Sequence, residues 1–205
     1  MKKLLACLFM VMALQTAAFA DAETDMHQMY ISKIQAQDVK YSTYSFFNAI
    51  SSGNVQLVDL FLKSGMSPDA TFMSTPAIYM AIASNQNEVV KLLLENKVDP
   101  NKEIAGLTPL IIAIKKKDAQ IVETLIAYGA DVNKQASYIN PLSYAIKKKQ
   151  PKIVEVLVKA GARPDNEVLI NALKCNDSYI KETVLKRYKE TVSYTHLTLP
   201  TTSRV

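Results

Sequence analysis

An all-α solenoid is the fold class this sequence predicts: helix–turn–helix units stacked side by side and joined by hairpin loops, about four full repeats plus caps. Three observations predict it. Apolar and polar positions recur at a spacing of 32 residues: Ala49, Ala81, Ala113, Ala145; Val58, Val90, Val122, Val154; Leu62, Leu94, Ile126, Val158; and Asp69, Asn101, Asn133, Asp165. A period in this range belongs to units that bury their apolar faces only against their neighbours. All five glycines fall at turn positions of that ladder: Gly65, Gly129 and Gly161 after second helices, Gly53 between helices and Gly106 in a hairpin loop. Finally, Val89, Val90, Leu93 and Leu94 recur at helical spacing, the core-facing stripe of a second helix.

Residues 1–20 are expected to be a cleaved secretory signal peptide. Lys2 and Lys3 start it, Leu4 to Leu14 form an apolar run too short to span a bilayer, and Ala18-Phe19-Ala20 offers a small-residue cleavage site. Leu4-Leu5-Ala6-Cys7 resembles a lipoprotein box but lies too near the start to leave an apolar region ahead of it. Cleavage after Ala20 would remove Cys7 and leave Cys175 alone, which rules out an intramolecular disulfide in the mature chain.

Residues 21–43 are read as a cap helix lined by Met26, Met29, Tyr30 and Ile34, or as a linker. The repeat domain occupies residues 44–190. In its units Pro109 and Pro141 suit a first helical turn, where a missing N–H costs nothing, and Thr108 and Asn140 suit the cap before it. Small alanines at 49, 81, 113 and 145 let paired helices approach closely. After Asp165 the next alanine arrives early, at Ala172, so the last unit is expected to drop its hairpin, with Ile180, Val184 and Leu185 filling its second helix. Residues 191–205 lose the register. Val192 to Thr201 resemble one reading frame of a sequencing-library adapter, so this tail is expected to be non-native and the true C-terminus missing.

Gly106-Leu107-Thr108-Pro109-Leu110-Ile111-Ile112-Ala113 and Ile121-Val122-Glu123-Thr124-Leu125-Ile126-Ala127-Tyr128-Gly129-Ala130-Asp131-Val132-Asn133 together resemble the ankyrin repeat over roughly residues 44–186. The period is one residue short of that family's usual length, and the deficit falls in the hairpin loop. Lys97 stands where a glycine is normal, a cost of about 1 kcal/mol if left-handed. The family's histidine is replaced by Tyr79, Ile111 or Ser143.

Trimming both ends removes Lys2, Lys3 and Arg204 from 24 basic residues and leaves 21 against 19 acids, so a formal charge of +5 falls to +2. Electrostatic arguments must then rest on local patches. No His, Cys or carboxylate set stands at ligand spacing, and no phosphate loop or nucleophile elbow is present, so the reading is non-enzymatic, without metal or cofactor. One constellation remains. Lys115-Lys116-Lys117 and Lys147-Lys148-Lys149 are 32 apart and should stack side by side. The resemblance implies that Lys115, Lys116, Lys147 and Lys148 face the concave groove, with Phe72, Met73, Ile104, Leu107, Tyr138 and Ile139 projecting from the hairpins beside them.

A mixed aromatic and basic surface suits a protein partner with an acidic surface. Nucleic acid and stable membrane insertion are not expected, and the chain is expected to be a monomer. The function anticipated is that of an exported bacterial scaffold, periplasmic, acting by binding. Alternatives are a secreted effector acting on a host or rival cell, or the binding part of a longer enzyme.

Overall fold

A computed structural model describes residues 23–195; the segment expected to be a signal peptide, residues 1–20, and the residues beyond Thr195 lie outside that range. A first helix, α1 (residues 23–35), precedes five helix pairs. They are α2 (Thr43–Ser52) with α3 (Val55–Lys63), α4 (Ala77–Ala83) with α5 (Asn87–Glu95), and α6 (Pro109–Lys116) with α7 (Ala119–Ala127). α8 (Pro141–Lys147) with α9 (Pro151–Lys159), and α10 (Asn166–Lys174) with α11 (Ser178–Thr195), complete the stack. Each first helix packs on the next first helix and each second helix on the next second helix. One sheet of inner helices therefore lies against one sheet of outer helices.

The local chemistry sets these boundaries. Side chains of Ser42, Asn54, Thr108, Asp118 and Asn140 accept from backbone N–H groups two or three residues on, capping α2, α3, α6, α7 and α8. Inner helices end in a repeated bond: the N–H groups of Asn54, Gln86, Asp118 and Gln150 donate to the carbonyls of Ala49, Ala81, Ala113 and Ala145. The residue before each donor is left-handed, and it is Gly53, Asn85, Lys117 or Lys149. Outer helices end the same way, with Met66, Val98, Ala130 and Ala162 donating to Phe61, Leu93, Leu125 and Leu157. Here the left-handed residue is Gly65, Lys97, Gly129 or Gly161. Lys97 at φ 68° thus takes the strained geometry its position implied.

The core runs between the two sheets. Ala81, Ala113 and Ala145 are fully buried, as are Val90, Leu93, Ile121, Val122, Leu125, Val154 and Leu157. Each large side chain of this kind contributes about 1.5–3 kcal/mol on burial. At the N-terminal end only Ile34 of α1 enters the core; Met26 and Met29, expected to line the cap, stay exposed. The His27 ring lies beside Gly65 as a packing group. At the other end Asp165 caps α10 directly, and Ile180 and Val184 of α11 are buried. The fifth unit has no hairpin, as its early alanine implied, and α11 runs on through residues 191–195, where the non-native tail was expected to begin.

Three hairpins join the first four units: β1 (Thr71–Phe72) with β2 (Thr75–Pro76), and single bridges Ile104–Leu107 and Ala136–Ile139. All have two-residue turns, Met73-Ser74, Ala105-Gly106 and Ser137-Tyr138, with positive φ at both residues. That is the type I′ turn, the tightest that matches strand twist, and it accounts for the shortened repeat.

Side chains clasp one unit to the next. Asn101 donates to Gly129 O and accepts from Asp131 N at 2.9 and 2.7 Å, and Asn133 does the same to Gly161 and Arg163 at 3.4 and 2.8 Å. Tyr79, at the position of the family's histidine, donates its hydroxyl to Leu107 O and accepts from Ile104 N, so the second unit holds the hairpin of the third. Burial pushes its phenol up from the usual range. Ile104 N and Leu107 O also pair with each other across the bridge, so Tyr79→Phe removes the clasp between units without orphaning them and should lose about 0.5–1.5 kcal/mol in urea denaturation.

Candidate concave binding surface

Inner helices carry a row of half-buried side chains packed along the edge of the core at the position before each ladder alanine: Met80, Ile112 and Tyr144, with exposed, polar Asn48 at the start. The row leads to the lysines at the helix ends. Lys115, Lys116, Lys117, Lys147, Lys148 and Lys149 are all exposed, and the two triplets sit on neighbouring inner helices. Their surroundings differ. Lys147 pairs with Glu167 at 2.9 Å, and Lys148 lies over the Tyr144 ring at 5.5 Å. Among the described residues, Lys115, Lys116, Lys117 and Lys149 have no carboxylate within 4.0 Å.

Hydrogen bonds from Lys147 and then Ser143 hold the Glu167 carboxyl below the usual carboxylate range. A depressed value means the pair is formed above the ordinary glutamate range and is lost as pH falls through the lowered one. The pair therefore forms at neutral pH, and with both side chains more than half exposed it is weakened by solvent.

The hairpins divide into two kinds of residue. Tyr138 is 100% exposed and Met73 85%, both at turn tips in left-handed conformation. Phe72, Ile104, Leu107 and Ile139, expected to project beside them, are instead half-buried. Phe72 and Ile104 pack against the core, while Ile139 lines a surface cleft beside Tyr138. Phe72 packs on Phe47 at 5.6 Å and on Tyr44 at 6.0 Å, ring centroid to centroid. Tyr44 is itself 61% exposed and extends the aromatic surface at the N-terminal end.

At the C-terminal end Tyr138, Ile139, Asn140, Ser143, Tyr144, Lys147 and Glu167 line a cleft of about 70 Å³. It opens beside the third hairpin, next to the fifth unit, which has none. The structure brings Lys147, Tyr138 and Ile139 together there, whereas Met73 and Phe72 belong to the first hairpin, near the N-terminal end of the stack. Tyr44, Tyr144 and Glu167 are absent from the sequence reading. Tyr144 was discoverable, since it shares the 32-residue register of Met80 and Ile112. Glu167 was not, because the shortened fifth unit moves it out of register.

A family model described as ankyrin repeats, three copies, matches residues 14–104 and 101–168, well over half of the chain. This chain belongs to the ankyrin-repeat family. No curated protein matches it. Ankyrin repeats form protein–protein interaction domains, and the family is typically a non-catalytic binding scaffold. In this ankyrin protein the surface available for such contact combines an apolar floor, a basic edge and two exposed hairpin tips. No described helix is long and apolar enough to cross a membrane.

The exposed tips are energetically unusual for an ankyrin stack. Type I′ turns favour Asn and Gly at both central positions, yet only Gly106 among the six turn residues is of that kind. A left-handed side chain costs about 1–2 kcal/mol, and an exposed Tyr or Met gains nothing from burial in return. Tyr138 and Met73 therefore weaken the isolated chain, while a partner that covers them would desolvate both.

Proposed function

We propose that this chain is an exported, non-catalytic ankyrin protein that holds a protein partner with an acidic surface on its concave face. The observation that carries the reading is the exposure of Met73 and Tyr138, two large apolar side chains in left-handed turn positions of a stack whose inner helices α6 and α8 end in exposed lysines. Interfaces concentrate energy in such aromatic and apolar anchors, with charged groups at the rim steering approach. The lysine-led apolar run at residues 4–14 and the Ala18-Phe19-Ala20 site support export to the periplasm.

Capture from a periplasmic extract tests the binding face. Met73→Ser with Tyr138→Ser should leave the melting temperature unchanged or higher and reduce recovery of bound partner at least about tenfold. Lys91→Glu with Lys152→Glu, both exposed on outer helices, should reduce it little. Loss of partner from the outer-helix variant alone would overturn the assignment of the face. Intact mass after export should show residues 1–20 removed, and fractionation should place the product in the periplasm; release into the medium would favour a secreted effector.

A further inference from the structure

We propose that the lysine edge at the C-terminal ends of α6, α8 and α10 docks an acidic helix of the partner, laid along the stack with carboxylates at seven-residue spacing. This rests on the reading of the concave face as a protein-binding surface and names the element that approaches it.

The edge is wider than the two triplets. Lys174 of α10 stands two residues after Ala172, as Lys147 and Lys115 stand two after Ala145 and Ala113, so the row runs over three consecutive inner helices. A recess of about 180 Å³ lined by Ile146, Lys147, Lys149, Asn171, Lys174 and Cys175 joins the second rung to the third. The corresponding positions of the first two units hold Ser51, Ser52 and Gly53, then Ala83, Ser84 and Asn85. The charge is confined to the C-terminal half.

Helix-terminal stabilisation accounts for only part of this. Lysines in a last turn interact favourably with the helix dipole, which covers Lys115, Lys116, Lys147 and Lys174. It does not cover Lys117 and Lys149, which occupy the left-handed position at φ 61° and 53° where earlier units use Gly53 and Asn85. A strained lysine at the same rung of two successive units, each without a carboxylate partner among the described residues, adds positive charge against both backbone preference and mutual repulsion.

Geometry selects the occupant. Packed helices lie about 8–10 Å apart, so the rungs repeat at about that distance. A partner helix rises about 1.5 Å per residue, and seven residues advance it about 10.5 Å while returning within about 20° to the same face. An extended strand advances about 10 Å in three residues and by then presents its opposite face. A helix with acids at i, i+7 and i+14 meets three rungs; a strand does not.

Fluorescence anisotropy at low salt, on the full chain, tests this with two stapled helical peptides of identical composition. One carries three glutamates at seven-residue spacing and the other at five-residue spacing, which scatters them around the helix. The first should bind about tenfold or more tighter. Lys117→Asn with Lys149→Asn and Lys174→Gln should remove that advantage without lowering the melting temperature, since asparagine tolerates the left-handed turn. Equal binding of both peptides, binding unaffected by the triple variant, or binding only to vesicles of phosphatidylcholine and phosphatidylglycerol would each overturn the proposal. If the peptides fail while capture of the partner still depends on Met73 and Tyr138, only this inference falls; if both fail, the surface itself is wrong.

Discussion

Leu125→Ala should cost about 2–5 kcal/mol, a large fraction of the stability of a domain this size. Leu125 is fully buried at the centre of the outer sheet, where α7 packs on both α5 and α9. The substitution removes the side chain's burial and leaves a cavity that two rigid neighbours cannot close. Its consequences spread because a repeat stack is stabilised by interfaces between adjacent units. A defect in the third unit uncouples the first two from the last two, so urea denaturation should lose cooperativity as well as midpoint. Ile126, one position on and only half-buried, is the control, and its alanine variant should lose clearly less. Equal losses at the two positions would mean that the outer helices do not face the core as described.

Association should respond most strongly to charge reversal at the groove. Lys115→Glu, Lys116→Glu and Lys148→Glu together change the local charge by six units on neighbouring helices. Their separation is comparable with the screening length of about 10 Å at moderate salt, so they act as one field. Partner association should slow by about ten- to a hundredfold at low ionic strength, with the difference shrinking as salt is added. Lys147 is best left in place, because a glutamate there would face Glu167 and confound binding with instability. Stopped-flow mixing across a salt series measures the effect. A salt-independent rate in the parent protein would remove the steering role of these lysines.

The scaffold was legible because its physics repeats. Ala81, Ala113 and Ala145 have to be small wherever inner helices meet, and Leu93, Leu125 and Leu157 have to fill the same space in each unit, so one register predicts all of them. The surface was legible only in part. Met73 and Tyr138 stood out as apolar residues at turn positions, whereas Phe72, Ile104, Leu107 and Ile139 have the same composition and neighbourhood but are half-buried. Their fate depends on the two-residue turn, which the 32-residue period implied. Glu167 and Lys174 were hidden for another reason: the fifth unit lacks a hairpin, which shifts the register, so position along the ladder no longer reveals what stands beside Lys147.

Site-specific photo-crosslinking reads the binding face without altering its charge. A benzophenone side chain placed at Tyr138 and, separately, at Lys91 on the outer sheet would be irradiated in cells that export the full protein. The account predicts a discrete higher-mass adduct from position 138 and none from position 91. An adduct from position 91 with none from position 138 would contradict the concave-face assignment and with it the proposed mode of action.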